Sequence, residues 1–210
     1  MVKIFSDSTC DLSQELLEKY DISILPLHIL LGEKEYCDGV DITPDEIFQW
    51  SDAQKTTPKT SAPALDMAME MLEPFVKEKQ PVICFSISED MSTSANVMRM
   101  AASELEAEDL VTVIDSASLS TGIGLLVLHA AEMAQAGKTV EEIQTEIEEL
   151  KPKVRASFVV DTLVYLYRGG RCSGLAAMFG SALHLHPMIV VENGKMHSSK
   201  KYRGKLSKVI

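Results

Sequence analysis

Three stretches of the chain gather hydroxyl groups where short apolar runs give way to helical patterns: "FSDST" (5–9), "SISEDMSTS" (86–94) and "IDSASLST" (114–121). A helix that starts at such a turn offers unpaired backbone N–H groups and a partial positive charge. Ser and Thr side chains add neutral donors, so each turn can receive an anion or can simply cap its own helix. "KTSAP" (59–63) adds a fourth set at the head of another helical stretch. A fifth feature, "YLYRGGRCSG" (165–174), puts Arg168 and Arg171 around Gly169 and Gly170, a flexible cationic turn suited to approaching something negative.

Missing motifs narrow the anion. The sequence has no glycine-rich P-loop ending in Gly-Lys-Ser/Thr, no GxGxxG after its first strand and no GxSxG nucleophile elbow. Its five histidines form no HExxH, and "HLHP" (184–187) reads as a half-buried extended segment, so neither a metal nor an organic cofactor is expected. Hydroxyls and helix ends without lysine or metal suit a monoanion such as a carboxylate better than a triphosphate. Met67, Met69, Met71, Met98, Met100 and Met133 fall on predicted helices. Flexible thioethers there serve as core filler or as walls for an apolar ligand.

The elements that must position these groups alternate. "VKIFS", "PVICFSIS" and "LVTVIDS" read as strands, separated by "LSQELLEKY", "ALDMAMEMLEPFVKEK" and "STSANVMRMAASELEA" as helices. Asp11 or Ser13 is available to cap the first helix. Thr43 with Glu46 and Thr139 with Glu142 form capping boxes, and Gly137 ends the helix over "GIGLLVLHAAEMAQAG". Pro26 argues against an ordinary central-strand position within "ISILPLHILLG", and "SDAQKTTPKTSAP" reads as a polar loop. The pattern predicts an α/β fold with a mostly parallel sheet flanked by helices. From about residues 150–154 the character changes: "RASFVVDTL" reads as a strand, "GLAAMFGSAL" as a short helix, and Asn193–Gly194 as a tight hairpin. The predicted domains are 1–152, α/β with the strand-end hydroxyl site, and 153–210, a partial α+β domain packed on the first.

The 210-residue chain is 46% hydrophobic and 24% charged, ordinary usage for a globular protein. Its net charge of −11 divides into −20 over residues 1–150 and +9 over 151–210. Either the two regions attract one another, or the second presents a basic surface to an anionic partner. Cys10, Cys37, Cys84 and Cys172 form no CxxC pair, which fits reduced thiols, and Cys84 within "VICFSI" reads as a small core residue. With no basic-then-apolar leader and no membrane-length apolar run, a cytoplasmic protein is expected.

Taken in order, "IFSDSTCDL", "TPKTSAP", "SISEDMSTSAN", "VIDSASLSTGIG", "DTLVYLYRGGR", "HPMIVVENGK" and "KYRGK" resemble the DegV family. These are bacterial fatty-acid-binding proteins that serve as the B subunit of fatty acid kinase. The resemblance implies an α/β domain joined to an α+β domain around a buried long-chain fatty acid such as palmitate. It implies that the carboxylate is held at Thr60, Ser61, Ser92 and Thr93. It also implies Arg171, with Gly170, near the carboxylate end, and Arg203 toward the partner-facing surface. The partner would be the ATP-binding kinase subunit, which phosphorylates the presented acyl group for phospholipid synthesis, with transient contact with a membrane surface. On this reading the chain has no catalytic residue and no nucleic-acid partner. Two departures stand out: Ala62 where the family has Gln, and Ser92-Thr93-Ser94 where it has Ser-Gly-Thr. Family members also continue past Ile210 with the rest of the second domain, including a histidine of the headgroup network, so a shortened second domain is implied.

Two rival readings use other residues. One is a small acyl- or phosphate-transferring enzyme built on the strand-end serines, with His28 or His129 as base. The other is a nucleic-acid module in which Tyr165, Tyr167 and Tyr202 interleave with the basic segment.

Overall fold

The computed structural model describes residues 1–160, 163, 165, 166, 169 and 185–204. β1 (Lys3–Asp7) and β6 (Val82–Ser86) are the inner strands of a four-stranded parallel sheet, flanked by β2 (Ile22–Leu25) and β7 (Val111–Asp115). Every residue of β1 and β6 is buried, as expected for parallel strands covered on both faces. One face packs Ile4, Ile83, Phe85 and Ile114 against α1 (Gln14–Tyr20), α5 (Thr121–Gln135) and α6 (Val140–Leu150). The other packs Phe5, Val82, Cys84 and Val111 against α3 (Leu65–Lys77) and α4 (Ser94–Glu104). The parallel, helix-flanked architecture expected from the sequence is the one observed.

Local chemistry sets most boundaries. Ser13, rather than Asp11, caps α1, its hydroxyl accepting from the Leu16 amide. Both capping boxes form, Thr43–Glu46 opening α2 (Pro44–Gln54) and Thr139–Glu142 opening α6. Gly137 follows α5 with φ of +80°. Pro26 marks the point where the chain leaves the parallel sheet after β2 and enters β3 (His28–Leu31) of a second sheet. This second sheet is antiparallel, in the order β4 (Lys34–Cys37), β3 and β5 (Lys59–Ser61), and its small core joins Ile29, Leu31 and Ile42 to Trp50 of α2.

β5 corrects the reading of residues 51–63 as loop throughout. Its three residues are exposed and carry no apolar alternation, so only their pairing with β3, Thr60 opposite Ile29, makes them a strand. "KTSAP" therefore does not cap a helix: α3 opens at Ala64 without a side-chain cap. A third sheet pairs β8 (Ala156–Val159) and β10 (Lys195–Arg203) on either side of β9 (Leu185–Glu192). Asn193 and Gly194 both take positive φ at the β9–β10 hairpin. The helix read over "GLAAMFGSAL" lies outside the described residues.

Candidate functional site

Three loops at the carboxyl ends of the parallel strands hold the peripheral sheets in place. After β1, the Ser8 hydroxyl donates to Asp38 Oδ2 (2.7 Å) and accepts from the Leu27 amide (3.1 Å), tying the second sheet to the first. After β6, the buried Ser88 hydroxyl donates to the Gly194 carbonyl at 2.7 Å, and Lys195 Nζ lies 3.4 Å from Asp90 Oδ1. These contacts dock the β9–β10 hairpin. After β7, the Ser118 carbonyl accepts from the Ser88 amide at 2.9 Å.

Between the three sheets lies a cavity of about 840 Å³. Leu27, Ile29, Ile87, Leu119, Phe158 and Met196 supply apolar walls, and Thr9, Thr57, Thr60, Ser61, Ser92 and Thr93 supply hydroxyls. Ligand sites in open α/β sheets fall at this position, outside the carboxyl ends of the strands. All four residues expected around a carboxylate, Thr60, Ser61, Ser92 and Thr93, line this space. Thr93 flanks the start of α4 without making a side-chain cap bond. The Ser92 hydroxyl lies 2.9 Å from that of Ser94 and accepts from the Ser94 amide at 3.3 Å.

Behind this wall sits Asp7, fully buried at the end of β1. Its carboxylate accepts from the Thr9 hydroxyl (2.5 Å), the Thr9 amide (3.3 Å), the Ile87 amide (2.9 Å) and the Ser94 hydroxyl. Burial pushes its pKa up, outweighing the lowering effect of those donors. Asp7, Thr9 and Ser94 are additions to the predicted set. The signal was present in "FSDST", but the sequence does not say which member of that turn faces inward.

Other expectations are redistributed. Gly170 and Arg171 lie outside the described residues, while neighbouring Tyr165, Leu166 and Gly169 line the cavity. Arg203 ends β10 as an exposed residue and is not among those lining the cavity. None of the six helical methionines lines the cavity. Met98 is buried among α3 and α4, Met67, Met69, Met71 and Met133 pack at core margins, and Met100 is 45% exposed. The thioethers at the cavity are Met91 and Met196. Cys84 is a core residue whose thiol burial pushes up to about 12.

His28 Nδ1 is held 2.5 Å from Glu35 Oε1 and His129 stands beside Glu146; neither lines the cavity. Among the described residues, no group of three or more His, Cys, Asp or Glu could hold a metal ion. No described helix is long and apolar enough to cross a membrane.

Fold and site together define a class: an α/β protein with a mixed apolar and hydroxyl cavity at the carboxyl edge of its parallel sheet. Residues 1–209 match the model of the DegV family, described as uncharacterised proteins, and the chain belongs to that family. It is 38% identical over 203 residues to a DegV domain-containing protein of Clostridium perfringens, covering 97% of this chain and 72% of that protein. Among solved structures, a stearic acid-binding protein from Eubacterium ventriosum superposes with a TM-score of 0.91 at 35% identity, covering 99% of this chain and 72% of the other. A fatty-acid-binding DegV family protein from Thermus thermophilus gives 0.85 at 32% identity, with coverage of 97% and 72%. Both solved relatives are described by what they bind rather than by a reaction.

Proposed function

We propose that this protein binds a long-chain fatty acid without transforming it, and presents it to a separate ATP-dependent kinase subunit that supplies phospholipid synthesis. The observation that carries the binding reading is the cavity, whose volume of about 840 Å³ combines apolar walls with six hydroxyls. Small-molecule pockets typically run from about 300 to 1,000 Å³, with few polar groups fixing orientation. In this reading Thr60, Ser61, Ser92 and Thr93 receive the carboxylate, and Leu27, Ile29, Phe158 and Met196 enclose the acyl chain. Fatty-acid binding in relatives at 32% and 35% identity supports the choice of ligand.

The hand-over to a kinase rests on the sequence resemblance. It gives Arg171, beside Gly170, to the carboxylate or acyl phosphate end and Arg203 to the partner-facing surface; an acyl phosphate is a stronger partner for arginine than a carboxylate is. Residues 1–152 and 153–210 are taken as the two domains, in keeping with a third sheet that begins at Ala156. A cytoplasmic setting, with transient contact at a membrane surface, accords with the unpaired thiols of Cys10, Cys37 and Cys84. The transferase alternative gains no support at the site, because the described side-chain partner of Ser92 is the Ser94 hydroxyl rather than a base.

Native mass spectrometry of the purified chain is expected to show a co-purified long-chain fatty acid, and added palmitate to raise the melting temperature of stripped protein. A chain recovered empty, with no shift on adding palmitate or oleate, would sink the binding reading. Failure to form acyl phosphate when the fatty acid, ATP and a kinase subunit are supplied would remove the hand-over alone.

A further inference from the structure

The fatty-acid reading leaves a charge problem at the headgroup. Asp38 and Glu89 line the cavity, Asp7 is buried directly behind it, and no Lys or Arg lines it among the described residues. Arg99 of α4 is committed to Glu89, with Nη2 and Oε1 at 2.5 Å. Among the described residues, an incoming carboxylate therefore meets carboxylates with only hydroxyls between them, and any help from Arg171 would come from outside that set.

The hydroxyls are wired to Asp7. Thr9 is on the cavity wall and donates directly to the Asp7 carboxylate; Ser92 is on the wall and reaches it through Ser94. An ionised carboxylate only accepts, and a hydroxyl has one proton. With Asp7 ionised, Ser94 spends its proton on Asp7, and the Ser92 proton is drawn onto Ser94 Oγ. Ser92 then turns lone pairs toward the cavity, the wrong polarity for a ligand that is itself only an acceptor. With Asp7 protonated the chain reverses: Asp7 donates to Ser94, Ser94 to Ser92, and Ser92 to the ligand. Both internal bonds are kept, a third to the ligand is gained, and one of two facing negative charges is gone.

We propose that Asp7 couples capture of a carboxylate at Ser92 to uptake of a proton from solvent, acting as a positioning residue that sets the polarity of the Asp7–Ser94–Ser92 chain. This rests on the fatty-acid-binding reading above. Burial raises the pKa of the Asp7 carboxyl, which makes its protonation easier than that of an exposed carboxylate. The other titratable groups around β1 do not replace it. Cys10 follows it with a thiol also pushed up, in part by the Asp7 charge, and Cys84 on β6 is pushed up to about 12. Asp11 closes the turn after β1, Lys3 pairs with Asp21 at the far end, and on α5 His129 and Glu132 are held by Glu146 and Tyr20. Asp115 at the end of β7 accepts from the Glu89 and Ala117 amides. Asp38 and Glu89 reach water, which screens them in a way that Asp7 is not screened.

The test is calorimetric titration of the full chain with palmitate in buffers of different ionisation enthalpy, from about pH 8 to pH 5. Binding is expected to take up close to one proton, and affinity to rise by up to about tenfold per unit fall in pH. Asp7→Asn is expected to abolish the uptake and flatten the profile. Isotope-edited infrared spectroscopy of the wild-type chain, with palmitate labelled at its carboxyl carbon, asks which carboxyl holds the proton and stands whether or not the variant folds. An unlabelled protonated-carboxyl band appearing on binding supports Asp7. Binding without uptake, full uptake by Asp7→Asn, or a protonated band that moves with the ligand's label would each overturn the coupling while leaving fatty-acid binding intact. Palmitate failing to bind at every pH would overturn the binding reading and this inference with it.

Discussion

The loops after β6 and β7 look alike in sequence and occupy equivalent places at the ends of neighbouring strands, yet they do different work. In the β6 loop, Glu89, Met91, Ser92 and Thr93 all face the cavity. In the β7 loop only Leu119 does. Ser116 and Ser118 are buried, and the Ser116 hydroxyl bonds to the Ser118 backbone, donating to its carbonyl at 3.3 Å and accepting from its amide at 3.2 Å. Asp115 takes the Ala117 and Glu89 amides. One loop turns the hydroxyls of Ser92 and Thr93 toward a ligand space, while the other uses that of Ser116 within its own turn and braces its neighbour through the Ser118 carbonyl and the Asp115 carboxylate. A cluster of serines therefore says little about binding until its internal bonds are assigned.

The largest expected effect separates the loops by affinity. Ser92→Ala, and likewise Thr60→Ala on the facing strand, should each weaken fatty-acid binding by about 1–3 kcal/mol. Ser116→Ala should leave affinity unchanged and lower the melting temperature instead. Titration calorimetry alongside thermal melts checks this, and equal affinity losses for Ser92 and Ser116 would erase the distinction. Next comes Gly122→Ala, beneath the β7 loop, whose new Cβ would stand 2.2 Å from Ser118 Oγ and 3.3 Å from the Ala156 side chain. Ser118 is short and buried, so relief needs backbone movement; a loss of about 1–3 kcal/mol in denaturant unfolding is expected. A stable Gly122→Ala variant would show that this loop is less rigid than its bonding implies.

Ser88→Ala should cost about 1 kcal/mol by removing the bond to the Gly194 carbonyl, and hydrogen exchange at the β9–β10 hairpin should speed up more than exchange in β7. The smallest effect is a slope. Because the Asp7 pKa is raised, the folded chain binds more protons than the unfolded one between the ordinary value of 3.8 and the higher folded value. Stability contributed through this group therefore falls as pH rises through that window. Wild type should gain on Asp7→Asn in melting temperature as pH is lowered. A constant difference between the two would mean that Asp7 titrates normally.

Much of the scaffold was legible because its signals are local. Thr43 with Glu46, Thr139 with Glu142, Gly137 and Asn193–Gly194 act within a few residues of themselves, and each does what its type suggests. Pro26 was legible as a break, since it cannot donate a ladder hydrogen bond. β5 was not, because "KTS" becomes a strand only when β3 lies beside it. The choice between core filler and ligand wall for the helical methionines was not legible for a related reason: helical spacing shows which residues share a face, but not whether that face meets a core or a cavity. Met98 met a core, and Met196, on a strand, met the cavity.

The sequence by itself determined the order of strands and helices, where most of them start and stop, and a supply of hydroxyls at strand ends. Those outcomes follow from short-range hydrogen bonding and from apolar periodicity, both written into neighbouring residues. Tertiary structure alone decided which hydroxyls face a common space. Thr9, Thr60 and Ser92 come from three loops and strands of two sheets, and Met196 from a third, brought together by Ser8 on Asp38 and Ser88 on Gly194. Contacts between residues so far apart depend on how whole sheets pack, and no local pattern encodes that packing.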